Sequence, residues 1–309
     1  MNSCSLSILV ARTDISFMMQ TIPHLVKSCQ FEFLERVLFV ETAPLSGVFR
    51  DRPGVGTLEQ LRDCCDRLLR DGVVDRVVDI GYSKATRQRI YNKHFGQDVR
   101  FTHDYRGASV FGFIYSLEAV KGDYILHFDS DMLLYQQRNH SWILEGIALL
   151  KSCPDVMFVS PLSGCPMPDG SLKQRSVTYQ CDPRGFYAFK EFTSRKFLVD
   201  RSRLEQMLPI QPSWMSQKRK WLSYFTQKSA LNVWEITMSK ALQSSQYIRA
   251  DMNSLLAWTL HTPDHGATFI QALPQVIEKI EIGDYPPEQA GDYDLQLEAW
   301  QRKTLKSIS

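Results

Sequence analysis

The stretch Gly122-Asp123-Tyr124-Ile125-Leu126-His127-Phe128-Asp129-Ser130-Asp131 decides the fold. An apolar run, Tyr124, Ile125, Leu126 and Phe128, stops abruptly at two carboxylates separated by one residue. Such a run reads as a strand buried on both faces, the pattern of a central parallel strand. In extended backbone, residues i and i+2 point to the same side, so Asp129 and Asp131 can converge just past the strand's carboxyl end. Ligands of open α/β sheets bind there. Two hard oxygen ligands at that place suit Mg2+ or Mn2+. The competing reading is a polar turn in which each aspartate caps a following helix.

Outward from this strand, short apolar runs alternate with helix-like segments. Residues 7–11 (SILVA) and 37–40 (VLFV) read as buried strands. Between them Phe17, Met18, Met19, Leu25 and Val26 mark a helix that Pro23 starts or kinks. Residues 58–70 carry Leu58, Leu61, Cys65, Leu68 and Leu69 at helical spacing. Asp71-Gly72 ends that helix, and 73–80 reads as the next strand. Residues 110–120 and 142–150 read as helices and 156–160 as a strand. The alternation over 5–160 predicts parallel βαβ units with right-handed crossovers.

The second half has a different texture. Residues 161–185 are rich in proline and glycine and read as loops. A strand is expected over 192–200, a short helix over 203–208, a helix over 235–242 and a last helix over 293–304. The apolar run 254–260 leads into His261. Residues 211–228 hold Trp214, Lys218, Arg219, Lys220, Trp221, Tyr224 and Phe225. They read as a helix with one core face; the alternatives are a lid over an acceptor or a peripheral contact with anionic lipid.

With 309 residues the chain makes one large domain or two small ones. Its 44% hydrophobic and 23% charged residues are ordinary for a soluble globular protein. A net charge of +2, from 36 basic and 34 acidic residues, argues against nucleic acid as a partner. No apolar stretch approaches the length of a bilayer span. The N-terminal MNSCSLSILVARTD lacks a basic region and a long apolar core, so no signal peptide is expected. Seven cysteines without metal-like spacing fit reduced thiols and a cytoplasmic location. Pro53-Gly54-Val55-Gly56 follows a loop and reads as a surface turn, not a dinucleotide cradle.

Asp104-Tyr105-Arg106-Gly107, the helix over 110–120, Gly122-Asp123-Tyr124-Ile125 and Asp129-Ser130-Asp131 together resemble the core of the family 2 glycosyltransferases, which have the nucleotide-diphospho-sugar transferase (GT-A) fold. The resemblance covers 1–160 and weakens beyond. It implies an α/β fold with a mostly parallel central sheet, flanking helices and a smaller acceptor-binding C-terminal part. A nucleotide-sugar-binding half would span 1–160 and an acceptor-binding half 161–309. It further implies that Asp129 and Asp131 bind Mn2+ or Mg2+ on the diphosphate of a UDP- or GDP-sugar. The sugar would pass with inversion to the hydroxyl of a glycan, a lipid-linked acceptor or a small molecule.

The same resemblance suggests further roles. Arg12, Thr13 and Glu41, at the ends of the first two strands, would face the nucleoside and phosphates, with Arg106 and Ser130 near them. His261 or His265 would add an imidazole to the metal. Glu235 stands where the family has its catalytic base, although Trp234-Glu235-Ile236 has one carboxylate where the family has two. An acidic residue favouring a helix N-terminus is the other reading of Glu235, and Asp251 and Asp264 are the alternative bases. Two rivals differ in class. A sugar-1-phosphate nucleotidyltransferase would place a Gly-rich basic loop after the first strand, and Arg12-Thr13-Asp14 is not one. A non-catalytic nucleotide-sugar binder would need Asp129 and Asp131 but not Glu235.

Overall fold

The first half alternates as its apolar pattern requires: β1 (Cys4–Val10), α1 (Met18–Cys29), β2 (Glu35–Val40), α2 (Leu58–Arg70), β3 (Arg76–Asp79), α3 (Lys84–Phe95), α4 (Val110–Ala119), β4 (Tyr124–Asp129), β5 (Met132–Gln136), α5 (Trp142–Ser152) and β6 (Val156–Ser160). Next come β7 (Leu162–Ser163), β8 (Tyr179–Asp182), β9 (Phe186–Phe189), β10 (Lys196–Asp200), α6 (Arg201–Met207), α7 (Gln217–Thr226), α8 (Trp234–Gln243), β11 (Ile248–Met252), β12 (Ala257–His261), α9 (Ala267–Glu281) and α10 (Leu297–Lys306). The structure is a computed structural model describing residues 3–50, 52, 55–173 and 177–306. Pro53 and Gly54 of the expected surface turn lie outside the described residues.

Among the described residues nine strands form one sheet in the order β3-β2-β1-β4-β10-β6-β11-β9-β8, and β5-β12-β7 form a second. The large sheet is mixed, which corrects the expectation of a mostly parallel one. β1 runs parallel to β2 and β4, β2 to β3, and β6 to β11. β10 runs antiparallel to both β4 and β6, and β9 antiparallel to β8 and β11. β10 runs in the same direction as β9, with β6 and β11 between them, and therefore against both β4 and β6, between which it lies.

Alternation along the strands explains the layers. In β2, Leu38 and Val40 face one core with Leu25, Leu61 and Leu68, from α1 and α2. Val37 and Phe39 face another with Ile90 from α3 and Phe111 from α4. In β4, Leu126 and Phe128 join the first core and Ile125 the second. The strand is thus buried on both faces, as its apolar run requires. A third core behind the small sheet packs Leu133, Trp258 and Leu260 against Phe269 and Leu273 of α9. Among the described residues no helix is long and apolar enough to cross a membrane.

Other local readings need correction. The strand expected over 73–80 begins only at Arg76, because Val73 and Val74 donate to the Leu68 carbonyl and close the end of α2. The strand expected over 192–200 is Lys196–Asp200 alone. α3 escaped notice because it is mostly polar and buries only Ile90, Tyr91, His94 and Phe95. The segment 211–228 is not a helix with a core face. Within α7 only Ser223 is buried.

The central position of β10 carries a cost. Its Lys196 is fully buried. The ammonium donates to the Pro161 carbonyl at 3.2 Å and to the Thr259 hydroxyl, and lies 4.8 Å from the centre of the Tyr293 ring. Burial lowers its pKa to about 7; the charge of Asp251 opposes the shift and that of Arg249 adds to it. Below about pH 7 the folded and unfolded chains both hold the proton, so the full cost is present. Between about 7 and 10 only the unfolded chain holds it, so stability rises with pH. Urea unfolding of wild type and Lys196→Met should therefore show a stability difference that moves in favour of wild type from pH 7 to 9. The slope should be at most about 1.4 kcal/mol per pH unit. A difference independent of pH would mean that Lys196 is not desolvated.

Candidate functional site

β4 ends at Asp129, whose backbone N–H donates to the Arg195 carbonyl at 2.7 Å. The chain then turns at Ser130-Asp131 and leaves the large sheet for β5 in the small one. β12 pairs with β5 in an antiparallel register that sets His261 opposite Met132. His261 is thereby delivered beside Asp131, with Nε2 3.6 Å from Oδ2. His265, four residues on, sets its Nε2 3.3 Å from the same oxygen. The other nitrogen of His261, Nδ1, is 2.7 Å from Asp294 Oδ1, and Asp294 is held there by a parallel bridge to His261. A carboxylate behind an imidazole fixes the ring's orientation and raises its basicity as a ligand.

Asp131 Oδ1 is buried and has no hydrogen-bond partner among the described residues. A buried carboxylate oxygen without a partner is costly, so this atom points to something that binds. Among the described residues, however, no three His, Cys, Asp or Glu side chains form a group that could hold a metal ion. The donor set is therefore partial. The Asp131 carboxylate meets the imidazoles of His261 and His265 pairwise.

A cleft of about 820 Å³ opens over this turn. Leu9, Pro44, Leu45, Phe49 and Phe113 give it an apolar wall. Asp129, Asp131, Asp14 and Ser130 form an acidic floor, and His265 stands at its side. The Asp14 carboxylate accepts from the Ala11 N–H at 3.0 Å and the Ser130 hydroxyl at 2.8 Å. Burial raises its pKa to about 6 against these hydrogen bonds and that from Thr13, with the charge of Asp131 adding to the rise. Asp129 also titrates high. Burial raises it, His127 at 3.2 Å opposes, and Asp131 adds repulsion. Asp131 goes the other way, because His265 and His261 outweigh its burial.

The expected contacts separate into those at the cleft and those away from it. Thr13, Glu41, Ser130, Asp129 and Asp131 line it. Glu41 is buried and accepts from the Ala43 N–H at 2.8 Å and from the Tyr82 hydroxyl, with His103 Nε2 at 3.7 Å. Arg12 does not line the cleft. Its guanidinium donates to the Ala43 carbonyl at 3.1 Å. The Arg106 side chain lies outside as well, 3.8 Å from Asp104, while its carbonyl accepts from the Val48 N–H at 2.9 Å.

Glu235 occupies a neighbouring cavity of about 1040 Å³ with Arg195, Arg249, Glu191, Tyr293 and Asp294. Its Oε1 accepts from the Ser194 N–H at 3.0 Å. Arg195 and Asp294, 3.7 Å apart, join this cavity to His261 and so to the first. Asp251 is committed to Arg249 and Ser163, and Asp264 to the Gly266 N–H. Sequence reasoning missed Asp14, His103, Arg195 and Asp294. Asp14 carried a local signal, a carboxylate just after β1 that accepts from the Ala11 N–H. The others are placed only by tertiary pairing.

No family model matches the chain, and no curated protein matches it. Among solved structures, the chain is similar to a crystal structure of GalNAc-T7 with UDP, GalNAc and Mn2+, at 12% identity and a TM-score of 0.48. The overlap covers 84% of this chain and 44% of that one. The chain thus spans less than half the length of its structural neighbour, and an overlap of this quality carries no argument about the site.

Two glycines set the cleft wall. Gly47 (φ +57°) and Gly107 (φ +98°) bring the loops at 46–49 and 104–108 into backbone contact. A Cβ on Gly107 would run into the Ser46 carbonyl, and one on Gly47 into the Arg106 carbonyl. Gly185 (φ +92°) has open space around it and pays only the conformational cost of a side chain. Urea unfolding should therefore show Gly107→Ala to be more destabilising than Gly185→Ala, with Gly107→Ala costing more than about 1 kcal/mol. Equal costs would mean that the two loops are not in contact.

Proposed function

We propose that the chain is a glycosyltransferase of the GT-A type, moving a sugar from a nucleoside-diphosphate donor to an acceptor hydroxyl. The observation that carries the reading is the acidic floor of the cleft, Asp14, Asp129 and Asp131, faced by two imidazoles at Asp131. Such a floor repels a diphosphate unless a cation lies between them; like charges 4 Å apart near a protein surface cost about 4 kcal/mol. Asp131 and one imidazole, that of His261 or His265, would share the cation with the diphosphate's own oxygens, and mixed carboxylate and imidazole ligation favours Mn2+ over Mg2+. When bound, the cation supplies neutralisation of the charge on the leaving diphosphate.

The chain's own residues do the rest. The apolar wall takes the base, and Glu41 accepts from a ribose hydroxyl in competition with Tyr82. Ser130 lies near the ribose. Glu235, held by the Ser194 N–H at the start of α8, removes the acceptor's proton as general base. Its cavity would seat the acceptor, so that the oxygen attacks the sugar in line from the side opposite the diphosphate and inverts it. Arg195, half-buried beside Glu235 and close enough to Asp129 and Asp131 to feel their charge, holds acceptor and donor sides in register. The division into a donor half at 1–160 and an acceptor half at 161–309 belongs to this proposal.

Thermal unfolding with UDP or GDP and Mn2+ should give a clear rise in Tm, larger than with either component alone. At a nucleotide concentration about 100 times Kd the stabilisation is about 2.7 kcal/mol. Asp131→Asn should remove the metal-dependent part of the rise. Glu235→Gln should keep it but lower turnover about a hundredfold or more. No rise with any nucleoside diphosphate and divalent metal would refute the reading. Full turnover in Glu235→Gln would move the base elsewhere.

A further inference from the structure

α7 is mounted with its aromatic face turned away from the protein. Trp221 is 63% exposed, Phe225 69%, Tyr224 50% and Leu222 39%. Helical spacing places these four on one broad face. The rings of Trp221 and Phe225, one turn apart, touch each other at 4.8 Å between centres and cover no core. The side facing the protein is the polar one, where Ser223 alone is buried and its hydroxyl donates to the Lys220 carbonyl at 2.6 Å.

The base of this excursion is firmly fixed. Trp214 and Leu231 form a bridge, Met215 N–H donates to the Ala230 carbonyl at 3.0 Å, and Asn232 N–H to the Ser213 carbonyl at 2.9 Å. The outward face is thus a built feature of the fold. Its charge has one sign. Residues 209–228 contain Lys218, Arg219, Lys220 and Lys228 and no aspartate or glutamate. The guanidinium of Arg100 adds a cation at the helix end, 3.4 Å from the Tyr224 carbonyl.

We propose that α7 seats the protein on the surface of a lipid bilayer containing anionic headgroups. Trp, Tyr and Phe at an exposed surface match the headgroup–acyl boundary, where an amphipathic ring has one side dry and the other wet. Lysines and arginines around them meet lipid charge, and their long stems keep the charged ends in the headgroup layer while the rings insert. The helix would lie in the plane of the interface. The same excursion touches the cleft wall, since the Tyr105 N–H donates to the Leu231 carbonyl at 2.9 Å and the Ser229 hydroxyl to the His103 carbonyl at 2.7 Å. Docking would therefore hold the cleft close to the bilayer. The inference is independent of the transferase reading, because it needs neither donor nor turnover.

The test is flotation of the full chain with vesicles of phosphatidylcholine alone and of phosphatidylcholine with phosphatidylserine. Binding is expected to the phosphatidylserine vesicles, to weaken with salt, and to be much lower on phosphatidylcholine. The double variant Trp221→Ala/Phe225→Ala should lose affinity by at least about tenfold while keeping its Tm, since both side chains are exposed. Lys218→Ala/Lys228→Ala should weaken binding and flatten its salt dependence. In wild type, brominated lipid should quench tryptophan emission, a readout that requires no variant. No flotation with phosphatidylserine vesicles, or equal flotation of the Trp221→Ala/Phe225→Ala variant, would overturn the proposal. So would a wild-type dimer in light scattering that the same variant converts to monomer, because the face would then be a contact between copies of the chain.

Discussion

The antiparallel pairing of β12 with β5 decides where the chemistry of this protein can be. β4 alone would leave Asp129 and Asp131 as a polar turn at a sheet edge. Pairing β12 in the register that sets His261 against Met132 brings an imidazole to Asp131. His265 then follows just before α9, and Asp294 bridges to His261 from the other side. A shift of one residue in that register would turn His261 to the opposite face of the small sheet. The third core behind the sheet, Trp258 and Leu260 against Leu133 and Leu273, fixes the register by burial.

The electrostatics follow from that geometry. Two carboxylates two residues apart share the same strand end yet have opposite tendencies. Asp131 is held ionised by two imidazoles, while Asp129 and Asp14 are pushed toward the protonated form by burial and by Asp131's charge. On the proposed function, such a pocket would take an anion only together with a cation. The buried, unpartnered Asp131 Oδ1 is the atom that this arrangement leaves for one.

Much of the first half could be read from the chain. β1, β2, α2, α4, β4 and α5 were legible because each carries a strong apolar period bounded by turn residues. The paired aspartates stood out because they end a doubly buried run abruptly, a pattern that a polar turn also produces. Beyond residue 160 the signal failed for physical reasons. β10 and β11 are short, and their partners are distant in sequence, so nothing local states their direction. α3 is mostly polar, and its few buried residues do not advertise a core face. α7 misled in the opposite sense. Its aromatic spacing is that of a core-facing helix, and only the tertiary structure reveals that the face points out. Arg195 and Asp294 join the site through pairings that no short motif encodes.

The central claim is that the turn after β4, completed by β12, holds a divalent cation jointly with a nucleoside diphosphate. The most direct measurement is an anomalous difference map from crystals grown with Mn2+ and UDP. The account expects one strong peak bonded to a carboxylate oxygen of Asp131, to at least one imidazole of His261 or His265, and to diphosphate oxygens. Nucleotide bound in the cleft with no peak at Asp131, or Mn2+ bound elsewhere, would contradict it.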